Sequence, residues 1–133
     1  MLEVYSKNIT VAGGTQIPLN DVAIIKGKTT EIQGAATIAI NKCGVYKISV
    51  NANVTPSAAG TASIQMEKNG ALVDNAISQC TAEADTEYAL AFTTIVQVPN
   101  NNTNCPCTAP TTIAFVNGLA GSVDINVVVD KIV

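Results

Sequence analysis

The 133-residue sequence has no histidine, no tryptophan and no arginine. Without imidazole, the serine and cysteine triads, most zinc sites and the commonest general base near neutral pH are all excluded. Without arginine there is no planar fork for phosphates or guanine edges, and three Tyr and two Phe offer few rings for stacking bases. Seven lysines stand against ten acidic residues, for a net charge of -3, so no basic face is available for a phosphate backbone. These absences argue against an enzyme and against a nucleic-acid partner, and no cofactor or metal is expected. Nor is there an apolar run near the ~20 residues that a membrane-spanning helix needs, so no membrane insertion is expected. The first residues, Met1 to Tyr5, lack the basic lead and apolar stretch of a signal peptide, which points to synthesis and assembly in a cytoplasm.

What remains is apolar and finely divided. Hydrophobic residues make up 47% of the chain and charged residues 13%; the mean hydropathy is +0.31. That composition is far from a disordered chain and greasier than an ordinary monomer, so part of the apolar surface is expected to face another subunit. The length fits one domain over 1–133 that buries roughly two-thirds of its unfolded surface, with 1–14 an N-terminal extension or attachment strand.

The dominant period is two. Tyr46, Ile48, Val50, Ala52 and Val54 share one face of a run whose other face carries Lys47, Ser49, Asn51 and Asn53. A second run sets Tyr88, Leu90, Phe92, Thr94, Val96 and Val98 against Ala89, Ala91, Thr93, Ile95 and Gln97. Its second face is small and half-polar, which reads as closely packed. A third sets Val123, Ile125, Val127 and Val129 against Asp124, Asn126, Val128 and Asp130. Further strands are expected around 3–11, 17–25, 36–41, 62–68, 71–78 and 111–117, separated by Gly, Pro and Asn. Asn69-Gly70 between two such runs predicts a tight type I′ hairpin, because both central residues need positive φ. Nine or ten short strands and no helical period imply an all-β sandwich or barrel.

Gly44-Val45-Tyr46-Lys47-Ile48-Ser49-Val50 resembles the glycine-x-tyrosine-x-apolar strand of the tumour necrosis factor and complement globular-head superfamily. Ser63-Ile64-Gln65-Met66-Glu67-Lys68-Asn69-Gly70 is similar to that superfamily's lysine-asparagine-glycine hairpin, and Glu87 to Val98 resembles its following long strand. The likeness spans roughly residues 15 to 133. It implies a jelly-roll β-sandwich of about ten antiparallel strands that forms a homotrimer through apolar and aromatic strand faces. The strands expected to build core and trimer carry Tyr46, Ile48, Val50, Tyr88, Leu90, Phe92, Phe115, Ile125 and Val127.

A domain of this type without arginine, collagen stalk or export signal resembles the versions on bacteriophage particles, as head fibres or capsid decorations. The expected role is that of a virion-surface structural and adhesion module whose partners are capsid or other virion proteins and, at the host surface, glycans. The alternative is a carbohydrate-binding, lectin-like module of a bacterial cell or spore surface.

Few residues offer chemistry. The polar, Pro-bounded segment 99–110 is the candidate binding loop, through Asn101, Asn102, Thr103 and Asn104. Within it Cys105-Pro106-Cys107 matches neither a redox Cys-x-x-Cys nor a zinc knuckle. Cys105 and Cys107 are disulfide candidates that could pin the loop, and with Cys43 and Cys80 they allow three pairings. Glu83, Asp85 and Glu87 alternate on one side of an extended chain, as a solvated acidic edge or a cation site.

Overall fold

The computed structural model describes residues 1–27, 29–99 and 111–133. Those residues form β1 (Leu2–Val11), β2 (Thr15–Gln16), β3 (Asp21–Ile25), β4 (Thr30–Gln33), β5 (Thr37–Ile40), β6 (Gly44–Pro56), β7 (Gly60–Lys68), β8 (Ala71–Ala82), β9 (Tyr88–Val98), β10 (Thr111–Asn117) and β11 (Gly121–Lys131). One sheet has the order β3-β1-β11-β6-β9 and the other β4-β5-β10-β7-β8, with β2 added to β10. Every pairing is antiparallel. The result is an all-β jelly-roll-like sandwich. Among the described residues no helix is long and apolar enough to cross a membrane.

Alternation builds the core. Successive side chains of a strand point to opposite faces, so each sheet sends one set inward and the two sets meet. The largest wholly buried side chains are Tyr46 and Phe115, one from each sheet. The ring of Phe115 on β10 lies 6.4 Å from that of Phe92 on β9, tilted by 51°, so this aromatic pair also joins the layers. The hydroxyl of Tyr46 donates to the Lys42 carbonyl at 2.8 Å, which satisfies the one polar atom of a buried ring. At the far end of the sandwich, buried Asn117 donates its amide to the carbonyls of Val11 at 3.2 Å and Leu119 at 2.8 Å.

The stretch 1–14 contains β1, which is hydrogen-bonded between β3 and β11 and buries Leu2, Val4 and Val11. The expected strand over 17–25 is confined to Asp21–Ile25. Before it, Ile17 N–H donates to the Phe115 carbonyl of one sheet, while the Pro18 carbonyl accepts the Ser6 hydroxyl of the other. Pro18 has no N–H for a ladder, and Ser6 also accepts from Asn20 N–H at 2.8 Å. The segment 17–20 therefore crosses between layers while Ile17 and Leu19 stay in the core. The tight hairpin at Asn69-Gly70 joins β7 to β8 with φ of 52° and 82°. Asn69 also ties the turn to β10, because its side-chain oxygen accepts from Thr112 N–H at 2.9 Å.

Candidate interaction surface

The outward face of the five-stranded sheet is the surface most unlike ordinary wet β-sheet. Its rows follow from the register. Ala91 of β9 stands opposite Asn51 of β6, Asn51 opposite Asn126 of β11, and Asn126 opposite Tyr5 of β1. No charge interrupts that row across four strands. The next row runs Thr93, Ser49, Val128 and Glu3. Along β9 the outward residues Ala89, Ala91, Thr93 and Ile95 are all exposed, Ile95 at 55%. Charges flank that row on both sides, with Lys7 and Asp124 on one side and Glu3, Lys47 and Asp130 on the other.

This face is also concave. A depression of about 380 Å³ lies over β9, β6, β11 and β1, lined by Tyr5, Asn51, Asn53, Ala91, Asp124 and Asn126. Small side chains on β9 make the hollow, and longer ones on β1 rim it. Asn126 donates to the Glu3 carboxylate at 3.2 Å, and the Asp124 carboxylate accepts from the N–H of Asn8, whose φ of 54° marks the bulge in β1. These contacts orient the polar side of the depression. It offers amide donors and acceptors, a phenol ring, the Asp124 carboxylate and the Lys7 ammonium.

The nine residues expected to build core and trimer all lie on inward faces. Tyr46, Ile48, Val50, Leu90, Phe115, Ile125 and Val127 are buried, and Tyr88 and Phe92 are half-buried against the same cluster. Within one chain they fill the space between the sheets, so a partner on the five-stranded sheet would meet their sequence neighbours instead. Those neighbours, such as Ala91 and Asn126, are not among the nine. The signal for Ala91 lies in the small, half-polar second face of the run 88–98, and that for Asn126 in the polar second face of the run 123–130.

Asn101, Asn102, Thr103, Asn104, Cys105 and Cys107 lie outside the described residues. Cys43 is disulfide-bonded, and Cys80 carries a free thiol on β8. Glu83, Asp85 and Glu87 are exposed, and the Glu83 N–H donates to the Tyr88 hydroxyl at 2.8 Å. Among the described residues no group of three or more potential ligands could hold a metal ion.

No protein-family model and no curated protein matches the sequence. Solved structures match it in fold. The globular domain of the zebrafish complement 1qA protein superposes with a TM-score of 0.75 at 7% identity, covering 99% of this chain and 96% of that one. The Eiger TNF from S. frugiperda gives 0.74 at 9% identity over 99% and 92%. The vertex protein P5 of phage PRD1 gives 0.64 at 14% identity, over 99% and 96%. The chain thus shares the sandwich of complement heads and TNF-like proteins, and at these identities the likeness is one of fold.

Proposed function

We propose that this chain is a non-enzymatic structural and binding module that assembles as a homotrimer through the outward face of its five-stranded sheet. The observation that carries this reading is the charge-free row Ala91, Asn51, Asn126 and Tyr5, beside exposed Ile95 on the edge strand β9. A sheet face meant only for water normally alternates in charged and long polar residues. Small uncharged residues instead let a second backbone come close, and a depleted charge at the centre with charge at the rim is the pattern of an interface. The trimer that the sequence resemblance implies provides a use for that face. Three copies would present their loops together, giving avidity from individually weak contacts.

The particle-surface role is supported by the fold shared with the PRD1 vertex protein and by a composition without histidine or arginine. We place the module on a bacteriophage virion, as a head fibre or capsid decoration. Light scattering tests the assembly and should give three times the mass of one chain. Co-sedimentation with purified capsids tests the setting; absence of binding to any particle component would remove the virion role and leave the trimer standing.

A specific feature favours a second reading. The depression with Asn51, Asn53, Asp124, Asn126 and the Tyr5 ring has the donors, acceptors and aromatic surface that a neutral saccharide needs. The two readings compete for one face. A glycan array on a protein that scatters as a monomer, with signal lost in Asn51→Ala, would replace the trimer by a lectin-like module.

A further inference from the structure

The strand β3 is an edge of the five-stranded sheet, and all five of its residues are exposed. Val22 is 49% exposed and Ile25 54%, and nothing charged lies between Asp21 and Lys26. Natural sheets normally guard such an edge with an inward charge, a proline or a covering loop. Among the described residues its backbone is also free to bond. Met1 and Lys26 exchange both main-chain hydrogen bonds, at 3.1 and 2.9 Å, and antiparallel pairs alternate in this respect. The adjacent residue Ile25 therefore turns its N–H and C=O away from β1, toward the open side.

The edge is also self-complementary. Ile24 pairs with Glu3 and Val22 with Val4, so Ala23 is an extra residue bulged out of the ladder. With Ala23 set aside, the strand reads Asp21, Val22, Ile24, Ile25, Lys26, symmetric about Ile24 except that an acid ends one side and a base the other. The bulge also puts Asp21 and Lys26 on one face, since they stand opposite Tyr5 and Met1. Turned antiparallel on itself, Ile24 meets the partner's Ile24, Val22 meets the partner's Ile25, and Asp21 meets the partner's Lys26. Each copy's Ala23 then lies against the other's Ile24–Ile25 step, so the two bulges offset each other and both ends keep register.

We infer that β3 is a docking edge for the β3 of a second copy of this chain, joining two five-stranded sheets into one across a two-fold axis. This contact uses the sheet's edge and is independent of the trimer proposed through its face. One short edge buries far less than the ~1,200 Å² of a stable interface, so the doubling is concentration-dependent. Sedimentation velocity of the full chain, run from micromolar to millimolar concentration, tests it. A base unit of one chain should pass to twice that mass, whereas a trimer carries three such edges and should pass to assemblies of two or more trimers, so failure of the trimer and failure of the edge contact read differently. Asp21→Lys or Lys26→Asp alone places like charges opposite each other twice and should weaken doubling about tenfold. The double exchange Asp21→Lys with Lys26→Asp should restore it. No doubling at any concentration, doubling indifferent to the single reversals, or no recovery in the double variant would each overturn the inference.

Discussion

The two sheets share one core and one alternation, yet they finish their outward faces differently. On the six-stranded sheet the polar groups are tied up within the layer. Gln16 donates to the Glu67 carboxylate at 3.0 Å, Gln65 donates to the Val73 carbonyl at 3.1 Å, and Glu31 and Gln79 face solvent. Leu72 of β8 is exposed on that face too, at 54%, opposite Glu67. On the five-stranded sheet the equivalent positions hold Ala89, Ala91, Thr93 and Ile95 beside a row of asparagines. Alternation thus decides which residues build the core, while the chemistry of the outward half decides whether a sheet ends at solvent or at another chain. The Lys-Asn-Gly hairpin of one layer and the buried Tyr46 of the other serve construction, and neither distinguishes the faces.

The largest expected effect tests that distinction directly. Ala91→Arg sets a long cation at the centre of the charge-free row and should reduce the scattering mass from three chains to one without changing the β-type circular dichroism. Gln79→Arg, outward on the other sheet, should leave the mass at three. If both variants remain trimers, or both dissociate, the asymmetry between the faces is wrong. Next in size is Phe115→Ala, which empties space between the layers where the ring is wholly buried. Urea unfolding should show a loss of about 3–5 kcal/mol. Because Phe115 points inward, the folded fraction of this variant should still assemble.

Much of the fold was legible because strands declare themselves by a local period. The runs through Tyr46, Phe92 and Val127 alternate over many residues, and Asn69-Gly70 supplies its own turn chemistry. The crossing at 17–20 was not legible, since apolar Ile17 and Leu19 mimic a strand. Its path is set by Ser6, Ala35 and Phe115, which are distant in sequence. The short β4 was hidden for a related reason, because four residues are too few to show a period and its pairing with β5 defines it. For the interaction surface, large side chains drew attention to the inward half of each strand. Tyr46 and Phe115 are large because they fill a core, and an approaching partner favours the opposite property on the other face. The charge-free row emerges only when register brings Ala91, Asn51, Asn126 and Tyr5 side by side from four strands.

Glycines carry the comparison down to single methyl groups. Gly121 begins β11 in the five-stranded sheet, where an added Cβ would collide with the Thr55 carbonyl and the Pro56 backbone. Backbone atoms held in a ladder give way poorly, so Gly121→Ala should cost about 1–3 kcal/mol in urea unfolding. Gly70, in the six-stranded sheet's hairpin, has nothing within 4 Å of the same added atom, but its φ is +82°. There the cost is conformational alone, and Gly70→Ala should lose only about 1 kcal/mol. The two variants separate by mechanism as well as size. Asparagine tolerates positive φ, so Gly70→Asn should recover part of the loss, whereas Gly121→Asn should be worse than alanine because it adds bulk to a clash. Equal rescue at both positions would mean that the close approach of β11 to β6 does not set the cost at Gly121.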